Sequence, residues 1–172
     1  MGFIESAYGL RRWDERPDVT PDLRAVRLVA NLHGQHWTGY VFNTYDQMAD
    51  ILRFLAQQMP AEQVLAYLPG WEGRYYFQYP YFRPAEAMGG PAGFARLVET
   101  ARELRMPFMP MFGAHGANVQ LYPDWEKAAF KNRANRYVRL LNCPDWDGDR
   151  SGEDDQVFLN PGEPEYRQFL VD

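Results

Sequence analysis

Apolar residues fall along this chain in short, nearly unbroken runs, and between the runs they recur at helical spacing. The runs are Ala25–Asn31, Gln63–Leu68 and Arg105–Phe112, each the length of a strand. Continuous runs of this kind are what a parallel sheet covered on both faces produces, since exposed strands alternate instead. Between the first two, Thr44–Leu55 places apolar residues on one helical face behind a threonine cap. Between the second and third, Gly93–Leu104 carries the same amphipathic stripe. Pro107 and Pro110 predict an irregular third strand, because proline removes a ladder donor.

Strand, helix, strand, helix, strand is the order of βαβ units, and the predicted class is α/β with a parallel sheet. Residues 1–24, charged and proline-containing, read as an irregular lead segment, leaving residues 25–172 as one domain. Later in the chain, residues 124–135 read as a helix. Arg136–Leu141 and Gln156–Leu159 read as an inserted β-hairpin spanning an acidic loop, and Glu163 opens a further helix. A (β/α)8 barrel takes about 250 residues. Three βα units with an inserted hairpin therefore predict the amino-terminal part of a TIM-type barrel.

Ligands of parallel α/β sheets gather at the carboxyl ends of the strands. Here each apolar run empties into glycine and polar or aromatic residues. The second run is followed by Pro69-Gly-Trp-Glu-Gly-Arg-Tyr-Tyr76, and the 16% aromatic content concentrates between Trp71 and Phe82. Pyranose rings lay apolar faces on Trp and Tyr while their hydroxyls take carboxylate and guanidinium partners. Trp71, Glu72, Arg74, Tyr75 and Tyr76 are accordingly candidate sugar-binding residues, against the alternative of plain packing beneath a long loop. His33, His36 and Trp37 follow the first run, and His115 and Asn118 follow the third, so the same mouth can gather them. The alternative for the histidines is hydrogen bonding that orients the rim. A zinc site is a third reading, but His33 and His36 lack a neighbouring carboxylate. The acidic stretch Asp145–Asp155 resembles a calcium loop only in part, with Arg150 and Gln156 at the positions that require Gly and Glu.

The motifs Val26–Gly34, Tyr67-Leu-Pro-Gly-Trp-Glu-Gly73, Met109-Pro-Met-Phe-Gly113 and Phe158-Leu-Asn-Pro161 resemble the (β/α)8-barrel glycoside hydrolases. The likeness is to barrels related to the α-galactosidase and endo-α-N-acetylgalactosaminidase families, over roughly residues 25–172. It implies hydrolysis of O-glycosyl bonds by two carboxylates, the nucleophile on the fourth strand and the acid/base on a later one. Both positions would follow Asp172, so the catalytic residues stay unassigned and the isolated chain is expected to be inactive. Glu72 is then a ligand for a sugar hydroxyl rather than half of a catalytic pair. The rival reading is a non-catalytic carbohydrate-binding or self-assembling half-barrel, because unfinished barrel edges invite pairing.

Charge and composition narrow the remaining classes. A net charge of −5 without a clustered Lys/Arg surface argues against nucleic acid as a partner. A single cysteine, Cys143, excludes an intrachain disulfide framework. The start of the chain lacks an export signal and no apolar run reaches membrane-spanning length, so a cytoplasmic protein without a membrane partner is expected. The Gly2 and Ser6 spacing matches a bare myristoylation pattern without a basic patch to support it. No nucleotide-binding glycine loop is present and no cofactor is expected.

Overall fold

The computed structural model describes Gly9 and residues 15–36, 38–73, 79–80, 82–113, 115–138 and 156–171. The chain runs through helix α1 (Pro21–Ala25), strand β1 (Leu28–Asn31), helix α2 (Tyr45–Gln58), strand β2 (Val64–Leu68), helix α3 (Gly90–Glu103) and strand β3 (Phe108–Pro110). It continues through β4 (Gly116–Asn118), α4 (Trp125–Ala128), β5 (Gln156–Phe158) and α5 (Pro164–Phe169). Strands β1, β2 and β3 pair in parallel in that order, with Val29 beside Leu65 and Tyr67 beside Met109. The three strands and two long helices are those that the hydrophobic pattern predicts.

Local chemistry starts each helix. The Thr44 hydroxyl accepts from the Gln47 N–H at 3.3 Å, and the Gln47 side chain accepts from the Thr44 N–H at 2.8 Å, a reciprocal capping box. Helix α3 starts earlier than its apolar stripe, at Gly90-Pro91, because proline suits the first helical turn. Gly93 lies where α3 meets α2: a Cβ there would stand 3.2 Å from the Tyr45 ring. A larger residue would hold the two helices apart.

Both long helices cover one face of the sheet. Val64, Ala66 and Leu68 of β2 are fully buried beneath Tyr45, Met48 and Leu52 of α2 and Leu97 and Ala101 of α3. Leu65 and Tyr67 point the other way and are only half-buried. Alongside them Val29 is 55% and Met109 45% exposed. Burial on both faces, as the continuous apolar runs imply, is therefore met on the helical side alone.

Four local expectations are corrected. Residues 21–25, within and just past the irregular lead, form α1, with proline in the first turn and Arg24 in the last. Strand β3 is shorter than 105–112, although its ladder extends to either side: Pro107 gives its carbonyl to the Ala66 N–H at 2.8 Å, and the Met111 N–H donates to the Leu68 carbonyl at 3.0 Å. The helix expected over 124–135 ends at Ala128, because Ala129 bridges to Leu159 and the Phe130 N–H bonds the Phe158 carbonyl at 2.7 Å. Pairing across the chain outweighs local helix propensity there.

The strand Gln156–Phe158 pairs antiparallel with Gly116–Asn118 rather than chiefly with 136–141. Of the described part of that expected partner, Val138 reaches it, accepting from the Phe158 N–H at 3.0 Å; 139–141 fall outside the described residues. Around β4 and β5 a second small core forms from Tyr79, Ala117, Tyr122, Val157 and Tyr166. Phe82 joins it to the sheet, stacking on Phe169 at 5.7 Å and meeting Phe112 edge-on at 5.2 Å. No helix among the described residues is long and apolar enough to cross a membrane.

Replacing Leu97, fully buried on α3, with alanine is expected to destabilise the chain by about 2–5 kcal/mol, as cavity-forming substitutions do. The neighbouring Val98, 38% exposed, is expected to tolerate alanine within about 0.5 kcal/mol. Denaturant unfolding of the two variants checks the contrast.

Candidate functional site

Hydrogen bonds continue past the strands and sew their carboxyl ends together. Beyond β1, the N–H groups of Leu32, Gly34 and Gln35 donate to the carbonyls of Tyr67, Pro69 and Gly70 at 2.8, 2.9 and 3.0 Å. The approach is close enough to require glycine at position 34, where a Cβ would lie 2.4 Å from the Gly70 carbonyl oxygen and 2.7 Å from the Met88 sulfur. On the other side the Trp71 indole N–H donates to the Met111 carbonyl at 2.7 Å. His33, His36, Trp71, Glu72 and Phe112 thereby share one end of the sheet.

Trp71 is 5% exposed. Its ring stacks on Phe94 of α3 at 4.8 Å and meets Phe112 edge-on at 5.4 Å. Its carbonyl accepts from the Tyr45 hydroxyl. This candidate sugar-binding residue therefore lies in the floor of this end, its ring packed against Phe94 and Phe112. A densely aromatic stretch marks a packed corner as readily as an open wall, and sequence does not distinguish them.

Glu72 is 3% exposed, and burial raises its carboxyl to about 9. At neutral pH it is held as the uncharged acid, a hydrogen-bond donor as well as an acceptor. Tyr45, with no exposed surface, has its phenol pushed up to about 12, first by burial, with the nearby Glu72 and Glu86 adding to the effect. Arg74, Tyr75, Tyr76 and Trp37 lie outside the described residues.

The loop after β1 forms a small hairpin. Gln35 bridges Val41, the His36 N–H donates to the Tyr40 carbonyl at 2.8 Å, and Gly39 supplies the turn at φ 94°. His36 is buried with Nδ1 2.9 Å from the Thr38 hydroxyl. His33 is half-buried, its ring 5.1 Å from Phe42 and 6.5 Å from His36. Burial, then the neighbouring His36, lowers the His33 pKa, which favours a neutral ring that both donates and accepts. Tyr40 and Phe42, 64% and 46% exposed, were not singled out from the sequence. Aromatics on either side of Gly39 were the available signal.

The third group lies on and beside β4. Asn118 is fully buried and its side-chain oxygen accepts from the N–H groups of Gln120 and Leu121 at 2.8 and 3.3 Å, so it shapes the turn after β4. His115 is exposed, its ring 6.2 Å from Phe158 in the smaller lobe. Among the described residues no three His, Cys, Asp or Glu side chains come together as a metal would require. A groove of about 810 Å³ lies at the opposite end of the sheet, between α1, Leu65 and Met106–Met109.

No protein-family model and no curated protein matches this sequence. Solved structures do. The α-N-acetylgalactosaminidase of Bifidobacterium bifidum, ligand-free, superposes with a TM-score of 0.66 at 18% identity, over 99% of this chain and 30% of that one. Its complex with Gal-NHAc-DNJ gives 0.66 at 19%, over 99% and 29%. The α-galactosidase of Thermus thermophilus in complex with stachyose gives 0.55 at 19%, over 86% and 29%. A maltogenic α-amylase of Thermotoga neapolitana gives 0.54 at 13%, over 87% and 35%. This chain thus spans about a third of the length of these glycoside hydrolases or less. At such identities the likeness establishes the fold: a mixed α/β arrangement on a three-stranded parallel sheet, matching part of a glycoside hydrolase barrel.

Glu72 makes stability depend on pH. A carboxyl with a folded-state pKa near 9, above its ordinary 4.5, binds a proton that the unfolded chain has released between those values. Stability therefore falls as pH rises from about 4.5 towards 9. Thermal unfolding is expected to give a lower midpoint at pH 8 than at pH 5.5, and Glu72→Gln is expected to flatten that difference.

Proposed function

We propose that this chain supplies the first three βα units of a glycoside hydrolase barrel and contributes sugar-binding loops. The observation that carries the reading is the joining of three parallel strand ends by backbone and indole hydrogen bonds, with Trp71 and Phe112 in ring contact at that end and the His33 imidazole against Phe42 in the loop after β1. The fold likeness to enzymes solved with Gal-NHAc-DNJ and stachyose supports a carbohydrate ligand. His33 supplies a neutral hydrogen-bonding group for a sugar hydroxyl, and Glu72, held protonated, shapes the floor beside it. Arg74, Tyr75, Tyr76 and Trp37 remain candidates for the wall, and no metal or cofactor is required for binding.

Hydrolysis needs two carboxyl groups flanking the bond, about 5–10 Å apart. Among the described residues at the three strand ends, Glu72 is the one carboxyl, and it is buried. The catalytic pair is therefore assigned to sequence outside these residues, and a cytoplasmic setting goes with the same reading. Calorimetric titration of the chain with neutral saccharides is expected to show binding without turnover of aryl glycosides. His33→Ala is expected to weaken binding about tenfold, the effect of one lost hydrogen bond to a sugar. Binding unaffected by His33→Ala would remove the histidine from the site.

A second reading, a self-associating half-barrel, draws on the sheet face opposite the helices, where Val29 and Met109 are 55% and 45% exposed. Sedimentation equilibrium is expected to show dimers or larger species that Val29→Lys shifts towards monomer. A chain that stays monomeric at tens of micromolar excludes that reading.

A further inference from the structure

We propose that Tyr40 and Phe42 form an outer subsite for a second, distal sugar residue, so that the strand-end site prefers oligosaccharides to monosaccharides. The inference rests on the carbohydrate reading of that site and goes further, since it identifies the length of ligand that the site takes.

Exposure and ring contacts carry it. From His36 to Phe42 to Tyr40 the rings follow one another edge-to-face at 6.0 and 5.0 Å. Along the same path exposure rises from 6% to 46% to 64%. The path leads outward from the strand end to the rim. Aromatic rings bury large apolar areas when they pack, so two adjacent rings left this open at one rim leave an apolar platform uncovered.

The platform is held in place. The Gln35 side-chain amide donates to the Gly39 carbonyl at 2.9 Å, the Phe42 N–H donates to the Gly34 carbonyl at 2.8 Å, and the Asn43 side-chain amide donates to the His33 carbonyl at 2.8 Å. A loop bonded at this many points presents its rings without the ordering cost of a free segment.

Charge selects the ligand class. From Leu28 to Tyr45 the sequence contains no Asp, Glu, Lys or Arg. A phosphate, nucleic acid or strongly charged peptide finds no counter-charge on this segment. A neutral polyhydroxylated ring finds apolar faces in Tyr40 and Phe42, with hydroxyl partners in Gln35, Thr38 and the Tyr40 phenol.

The test titrates the chain with galactose and with stachyose as the monosaccharide and tetrasaccharide probes. The unsubstituted chain is expected to bind stachyose more tightly. Tyr40→Ser and Phe42→Ser are each expected to reduce stachyose affinity about fivefold with galactose affinity unchanged, the scale of one lost stacking contact. Tyr40→Trp is expected to retain the preference. Unchanged thermal midpoints in the serine variants exclude misfolding as the cause, and Tyr40→Trp gives an independent reading if a serine variant unfolds. Equal loss for both sugars, or no loss for stachyose, overturns the outer subsite while leaving the carbohydrate reading in place. A change in self-association with saccharide affinities intact assigns the rings to protein contact and overturns it as well. A chain that binds neither sugar overturns this inference and the reading beneath it together.

Discussion

The buried hydroxyl of Tyr45 holds four segments that are distant in sequence. It donates to the Trp71 carbonyl just past β2 and accepts from the Ala85 N–H at 2.7 Å ahead of α3, while Trp71 passes the connection on to Met111 past β3 through its indole N–H. Helix α2, the second strand end, the approach to α3 and the third strand end are thus joined through two side chains. A buried polar group left without its partner costs about 1–3 kcal/mol, more than a satisfied bond contributes. The arrangement is therefore self-enforcing: moving any one segment strands a donor or acceptor in the core. Its pKa near 12 keeps the phenol protonated, hence a donor, across the ordinary pH range.

From that constraint follows a site with a rigid floor and an open rim. Trp71 sits deep because its indole and carbonyl tie the strand ends together, Glu72 is buried next to it in the chain, and the hairpin after β1 leaves Tyr40 and Phe42 exposed. On the far side Phe82 ties the smaller antiparallel lobe to Phe112, so the β4–β5 unit flanks the same end of the sheet. The opposite end, where α1 closes on Leu65 and Met106–Met109, holds a groove of its own, lined in part by Thr20, Asp22, Glu62 and Arg105.

The sheet also has two unlike faces. Helices α2 and α3 seal one, and the other presents Val29, Leu65, Tyr67 and Met109 with partial or high exposure. In a barrel such a face looks into the interior, where side chains from all the strands meet.

The parallel strands and long helices were legible because they rest on periodicity and local capping, which are properties of neighbouring residues: the Thr44–Gln47 box and the stripe ending at Leu104 need no distant partner to be recognised. The strand ends were legible, but how their side chains pack was not. Strand ends pointed to Trp71, Glu72, His33 and His36, yet only packing across 40 residues turned Trp71 into floor, and only burial raised Glu72. Asn118 became a turn former and Gly116–Asn118 a strand because Gln156–Phe158 lies against them, a pairing that small residues of low strand propensity do not announce. The helix beginning at Trp125 stopped at Ala128 for the same reason. Sequence alone determined which segments could be helix or strand and where polar chemistry would gather. Tertiary structure decided which aromatic was buried and which was left exposed, because exposure depends on what packs against a side chain from elsewhere in the chain.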